Sequence, residues 1–116
     1  MVINLAAAII LTAVSSHVLN AEVKLPAIFS DNMVLQQQVN AAFWGKASPG
    51  STVTVRTSWN NRTYSARADR DGNWRVKVST PSAGGPYSVT VSQGNTIIFR
   101  NVLIGEVWVC SGQSNM

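Results

Sequence analysis

The sequence predicts an all-β domain, a sandwich of jelly-roll or immunoglobulin-like type. Two observations carry this. From Glu22 onward, short runs alternating apolar with polar residues are separated by turn residues roughly every ten positions, the punctuation of antiparallel sheets. No stretch before Ser114 has the 3.6-residue periodicity of a helix, and no internal repeat is visible.

The elements follow in order. Glu22 to Leu25 can pair as an edge strand before Pro26, which cannot donate to a ladder. Ser30-Asp31-Asn32 is a turn leading into Met33 to Gln36. Ala41 to Lys46 is a short strand holding Phe43 and Trp44, closed by Ser48-Pro49-Gly50. Thr52 to Trp59 alternates most cleanly, with Val53, Val55, Thr57 and Trp59 on one face. Asn60-Asn61 suits a tight hairpin because asparagine tolerates positive φ, and the returning strand, Arg62 to Ala68, groups Tyr64, Ala66 and Ala68. Asp69 to Asn73 reads as a further hairpin turn into Trp74 to Val78. A calcium loop there fails on spacing, since glycine comes fourth rather than sixth and Thr80 stands where the terminal glutamate is needed. Pro81 to Pro86 reads as a loop, Tyr87, Val89 and Val91 as one strand face, and Thr96 to Arg100 as a strand after the Gln93-Gly94-Asn95 turn.

Composition narrows the function classes. The chain has 116 residues, 46% hydrophobic and 12% charged, with a formal charge of +4. Its Lys and Arg residues are scattered along strands instead of clustered, so no nucleic-acid partner is expected. One cysteine excludes an intramolecular disulfide and a cysteine-cluster zinc site, and no cofactor or metal is implied. Residues 1 to 21 carry no charged side chain, and their apolar run, Leu5 to Val14, is well short of the ~20 residues that span a bilayer. They read as a secretory signal peptide cut after Ala21, which predicts a secreted or periplasmic protein with no membrane association after cleavage.

The chemistry is expected in the last stretch, Gly105 to Met116. From Val102 to Cys110 the chain is apolar on successive residues, as in a strand covered on both faces of a parallel sheet, and a domain change is placed near residue 104. That strand runs into the small-residue turn Ser111-Gly112-Gln113, which presents Ser114 as a nucleophile hydroxyl stands at the C-terminal edge of a sheet. Backbone N–H groups at a helix start behind it would face a developing oxyanion. Ser111 lies closer to the strand end, where its hydroxyl bonds nearby backbone. Cys110 reads as a buried, inert thiol, and Asn61-Arg62-Thr63 as a hairpin asparagine.

Gly112-Gln113-Ser114-Asn115-Met116 resembles the nucleophile block of the sialate O-acetylesterase family, carbohydrate esterases of the SGNH-hydrolase class. Leu25 to Gln36, Asp71-Gly72-Asn73-Trp74, Ala83 to Tyr87 and Asn101 to Trp108 also resemble that family, in order. The resemblance implies that Ser114 is the nucleophile and supplies one oxyanion donor from its own N–H. It implies an O-acetylated sugar, such as a sialic acid, as substrate. The division expected is a signal peptide (1–21), a β-sandwich (22–103) and the opening strand of a truncated α/β SGNH-type catalytic domain (104–116). The family's His and Asp lie beyond Met116, and the one histidine present, His17, sits in the signal segment. These residues alone are therefore expected to be inactive. Trp44, Trp59, Trp74, Trp108, Tyr64 and Tyr87 raise the alternative of a carbohydrate-binding sandwich. The alternation of Trp59 and Trp74 with valines favours core packing, and with it a scaffold.

Overall fold

The computed structural model describes residues 22–107. The expected signal peptide, Cys110, Ser111 and Ser114 lie outside the described residues. Within them the chain forms seven strands and no helix: β1 (Val34–Gln36), β2 (Asn40–Lys46), β3 (Thr52–Thr57), β4 (Arg62–Arg67), β5 (Asn73–Ser79), β6 (Gly84–Gln93) and β7 (Asn95–Gly105). One sheet has the order β1-β7-β6-β3-β4, and β2 pairs with β5 in a second. All pairings are antiparallel except β1 on β7. The all-β sandwich is the architecture that the alternation pattern predicts.

The core lies between the sheets, and the alternation explains its membership. Val53, Val55 and Thr57 of β3, Val89 and Val91 of β6, and Trp74, Val76 and Val78 of β5 are buried, while their strand neighbours Arg56, Arg75 and Lys77 are exposed. Phe43 is fully buried and stacks on Phe29 with ring centroids 4.9 Å apart. Asn61 turns the β3–β4 hairpin at φ 56°, as its tolerance of positive φ predicts.

Four local readings change. The Asp69–Asn73 turn is not a hairpin: β4 pairs with β3 and β5 with β2, so the turn carries the chain from one sheet to the other. Asp69 Oδ1 braces it by accepting from the N–H groups of Asp71 and Asn73, each at 2.9 Å. Lys24 makes only an isolated bridge to Lys46, not a strand. This bridge needs a glycine at position 45, since a Cβ there would stand 1.9 Å from the Lys24 carbonyl oxygen. Strand β6 begins at Gly84, inside the expected loop, and Gly85–Pro86 is a cis peptide.

The fourth concerns Val102 to Cys110. Val102, Leu103 and Ile104 belong to β7, with Val102 and Ile104 buried and Leu103 40% exposed, so one face is covered rather than two. The run reads as continuous because the outward-facing residue, Leu103, is itself apolar, and just before it β7 contains a bulge that shifts the inward side. Val89 faces Phe99 and Tyr87 faces Val102, leaving Arg100 and Asn101 opposite a single residue. Asn101 takes φ 55°, and the buried positions change from odd to even numbers across it. The Ser30–Asn32 turn docks there, Asp31 Oδ1 accepting from Arg100 N–H at 2.7 Å and Asn101 Nδ2 donating to Asn32 Oδ1 at 2.7 Å.

Candidate functional site

At the end of β7, the last described strand before Ser114 in sequence, β1 lies alongside in parallel register, Gln36 opposite Gly105. Parallel pairing puts the end of β7 next to Gln36, the last residue of β1, and Gln37 just after it, some seventy residues earlier in the chain. Gln37 N–H donates to the Gly105 carbonyl at 2.8 Å. Gln36 then uses both ends of its amide: Oε1 accepts from Val107 N–H at 2.9 Å, and Nε2 donates to Glu106 at 3.2 Å. Gln37 Nε2 donates to the other Glu106 oxygen, and Gln37 Oε1 accepts from Ala83 N–H at 2.9 Å. Two glutamines thus hold both oxygens of one carboxylate and the next backbone amide. The Gln37 hydrogen bond, and then that of Gln36, hold the Glu106 carboxyl below its ordinary pKa, against a small opposing effect of desolvation.

Beneath this clamp Thr80, buried at the end of β5, ties the β1–β2 connection down. Its hydroxyl donates to the Gln36 carbonyl at 2.7 Å and accepts from Val39 N–H at 3.0 Å. The Val39 carbonyl receives Thr80 N–H at 2.9 Å. The end of β5 thereby anchors the backbone that carries Gln36 and Gln37.

A second concave feature lies on the outer face of β2 and β5. Trp44 and Arg75 stand directly opposite one another in register, with Lys46 opposite Asn73 beside them. Two open depressions of about 470 and 310 Å³ share Trp44, Gly45 and Asn73; Arg75 lines the larger, Lys24 and Lys46 the smaller. Trp44 is 42% exposed and braced edge-on by Phe29, ring centroids 4.8 Å apart. The other two described tryptophans are pinned instead. Trp59 Nε1–H donates to the Ser79 carbonyl and Trp74 Nε1–H to the Lys46 carbonyl. At the far edge, burial raises the Tyr64 pKa, but hydrogen bonds from the Asn60 side chain and Ser79 N–H and the charge of Arg62 outweigh it and leave it lowered.

Gln36 and Glu106 lie in two of the stretches that resemble the esterase family, and the fold brings them together at the clamp. Spacing gave no hint that they would touch, because the contact depends on the register of β1 against β7. Trp44 was legible in principle: adjacent residues of a strand face opposite ways, and Phe43 takes the core.

The similarities accord with this geometry. Residues 28–96 match the family model of the bacterial Ig-like domain. The chain is 36% identical over 104 residues to the sialate O-acetylesterases of Homo sapiens and Pongo abelii, the match covering 80% of this chain and 20% of theirs. The Mus musculus sialate O-acetylesterase is 37% identical over 101 residues, covering 78% of this chain and 19% of its own. A solved carbohydrate acetylesterase from Xanthomonas citri superposes with a TM-score of 0.69 at 33% identity, covering 74% of this chain and 20% of that one. The chain spans about a fifth of the length of these relatives. Its sandwich belongs to the bacterial Ig-like domain family, and the chain is a relative of the sialate O-acetylesterases.

Proposed function

We propose that these residues are the sandwich and nucleophile-bearing portion of a secreted or periplasmic carbohydrate O-acetylesterase acting on O-acetylated sialic acids or related sugars. The supporting observation is a similarity that runs through four fifths of the chain, to relatives named as esterases of this substrate class. Ser114 Oγ attacks the acetyl carbonyl while a histidine outside these residues takes its proton. The sugar hydroxyl leaves with that proton, and water hydrolyses the acetyl-enzyme. The Ser114 N–H is one oxyanion donor, a role whose loss typically costs about 10²–10³ in rate. The part of the sandwich is positional. Gln36 and Gln37 fix Glu106 and Val107, and thereby the direction from which the chain approaches the nucleophile turn.

With His17 as their one histidine, these 116 residues alone lack a base for Ser114 and release no acetate. The test is acetate release from an O-acetylated sialic acid by the full-length protein, with and without Ser114→Ala. A fall of roughly 10³-fold or more is expected. An unchanged rate in the variant refutes Ser114 as nucleophile.

A further inference from the structure

We propose that the outer face of β2 and β5 is a non-catalytic binding site for an anionic sugar, with Trp44 as the stacking platform and Arg75 as the carboxylate partner. Three observations converge. First, Trp44 presents its ring beside two adjoining open depressions, the larger of about 470 Å³, within the size range of small-ligand sites. The edge-on contact from Phe29 fixes the plane of that ring before any ligand arrives, so stacking requires little ordering.

Second, the polar groups around it are unengaged. Trp59 and Trp74 both donate their indole N–H to a backbone carbonyl. Among the described residues none accepts from Trp44 Nε1–H, and the side chains of Asn73 and Arg75 have no hydrogen-bond or ion-pair partner. A tryptophan kept for packing commonly has its N–H satisfied. Here one face of a ring, an indole N–H, a carboxamide and a guanidinium open onto the same groove.

Third, the charged side chains that line the depressions, Lys24, Lys46 and Arg75, are all basic and exposed, with Lys77 farther along β5 and the exposed carboxylates of Glu22 and Asp71 outside the lining. Asp69, in the turn before β5, is occupied with two backbone amides. A ring with an apolar CH face and a carboxylate fits: the CH face stacks on the indole, and the carboxylate takes the planar fork of Arg75. Sialic acid has that chemistry. The choice of sugar rests on the esterase reading, whereas the anionic preference rests on the basic face itself.

The experiment is a titration of the 116-residue chain with sialyllactose, and with lactose as the neutral control, followed by amide and indole N–H chemical shifts at low ionic strength, where exposed charges are least screened. Saturable shifts are expected for Trp44 Nε1–H, Gly45, Asn73 and Arg75, with the indole signal of Trp59, which lines neither depression, unmoved. A Kd on the order of 1 mM fits so open a site. Trp44→Ala should abolish the shifts, while Arg75→Gln should weaken sialyllactose about tenfold and leave lactose unaffected. No saturation, shifts that survive Trp44→Ala, or equal response to both sugars overturns the proposal. Because Arg75 is exposed and has no partner to lose, Arg75→Gln reports on binding even if Trp44→Ala is destabilised. The titration reads Trp44 and the acetate assay reads Ser114, so either reading can fail while the other stands.

Discussion

Replacing Thr80 by valine removes one oxygen from a place where two backbone groups depend on it. The hydroxyl carries one proton. The Val39 carbonyl, 3.0 Å away, already receives Thr80 N–H, so the proton goes to the Gln36 carbonyl at 2.7 Å. Its lone pairs accept from Val39 N–H. Valine keeps the shape but offers neither function, leaving the Gln36 carbonyl and Val39 N–H without these partners in a partly buried site. At about 1–1.5 kcal/mol for each group stranded, Thr80→Val should cost about 2–3 kcal/mol. For a domain of this size that is a fall in Tm on the order of 10–20 °C. Thr80→Ser keeps the oxygen and loses only a methyl, so it should cost about 1 kcal/mol or less. Urea denaturation followed by tryptophan fluorescence measures both, with the m-value unchanged if only the folded state is affected. A Thr80→Val variant within about 0.5 kcal/mol of the parent refutes the bridging role, since that is the scale of an ordinary surface change. So does a serine variant as damaged as the valine.

Two further predictions test the chain exit and the strand edge. Glu106 has a folded-state pKa below its ordinary 4.5, so its contribution is present above the unfolded value and is lost as pH falls through the folded one. A carboxyl-carbon titration should show this midpoint, Val107 N–H should shift with it, and Gln37→Ala should move it back up; a midpoint unchanged by Gln37→Ala contradicts the clamp. Gly45→Ala would drive a Cβ into the Lys24 carbonyl, break the paired bonds between Lys24 and Lys46 and cost about 2 kcal/mol or more. Hydrogen exchange at the Lys24 and Lys46 amides, which donate at 2.9 and 2.8 Å, should accelerate together, and protection retained at both would count against the edge role.

The sequence made the sandwich legible wherever one side of a strand faces the core, because burial then enforces a period of two. Val53, Val55 and Thr57, or Trp74, Val76 and Val78, are such cases. It was misleading in β7, where an extra residue at Arg100-Asn101 reverses the inward side and, beyond it, the exposed apolar Leu103 between Val102 and Ile104 makes a half-covered strand read as a continuous apolar run. Which turns are hairpins and which cross between sheets was not legible either. Asp69–Asn73 has hairpin chemistry, yet Trp74 finds its partner in Gly45 rather than in the preceding strand. Of the candidate site, the blocks containing Gln36 and Glu106 could be picked out, but their contact is a matter of long-range register. Trp44 was hidden by being one aromatic among several, and only the burial of Phe43 beside it shows which way it points.

The parallel pairing of β1 with β7 has a consequence for how the chain comes together during synthesis. Among the described residues strand β1 has no other neighbour in its sheet, and β7 is the last of the seven described strands to be made. An early segment must therefore wait, unpaired, until Gly105 has emerged from the ribosome. Closing a loop of about seventy residues is slow compared with forming the hairpins in between. The β3–β4 and β6–β7 hairpins can form as they appear, whereas β1 docks at the end. A nascent chain arrested before residue 95 should leave Val34 to Gln36 open to protease, and one extended past Gly105 should protect them.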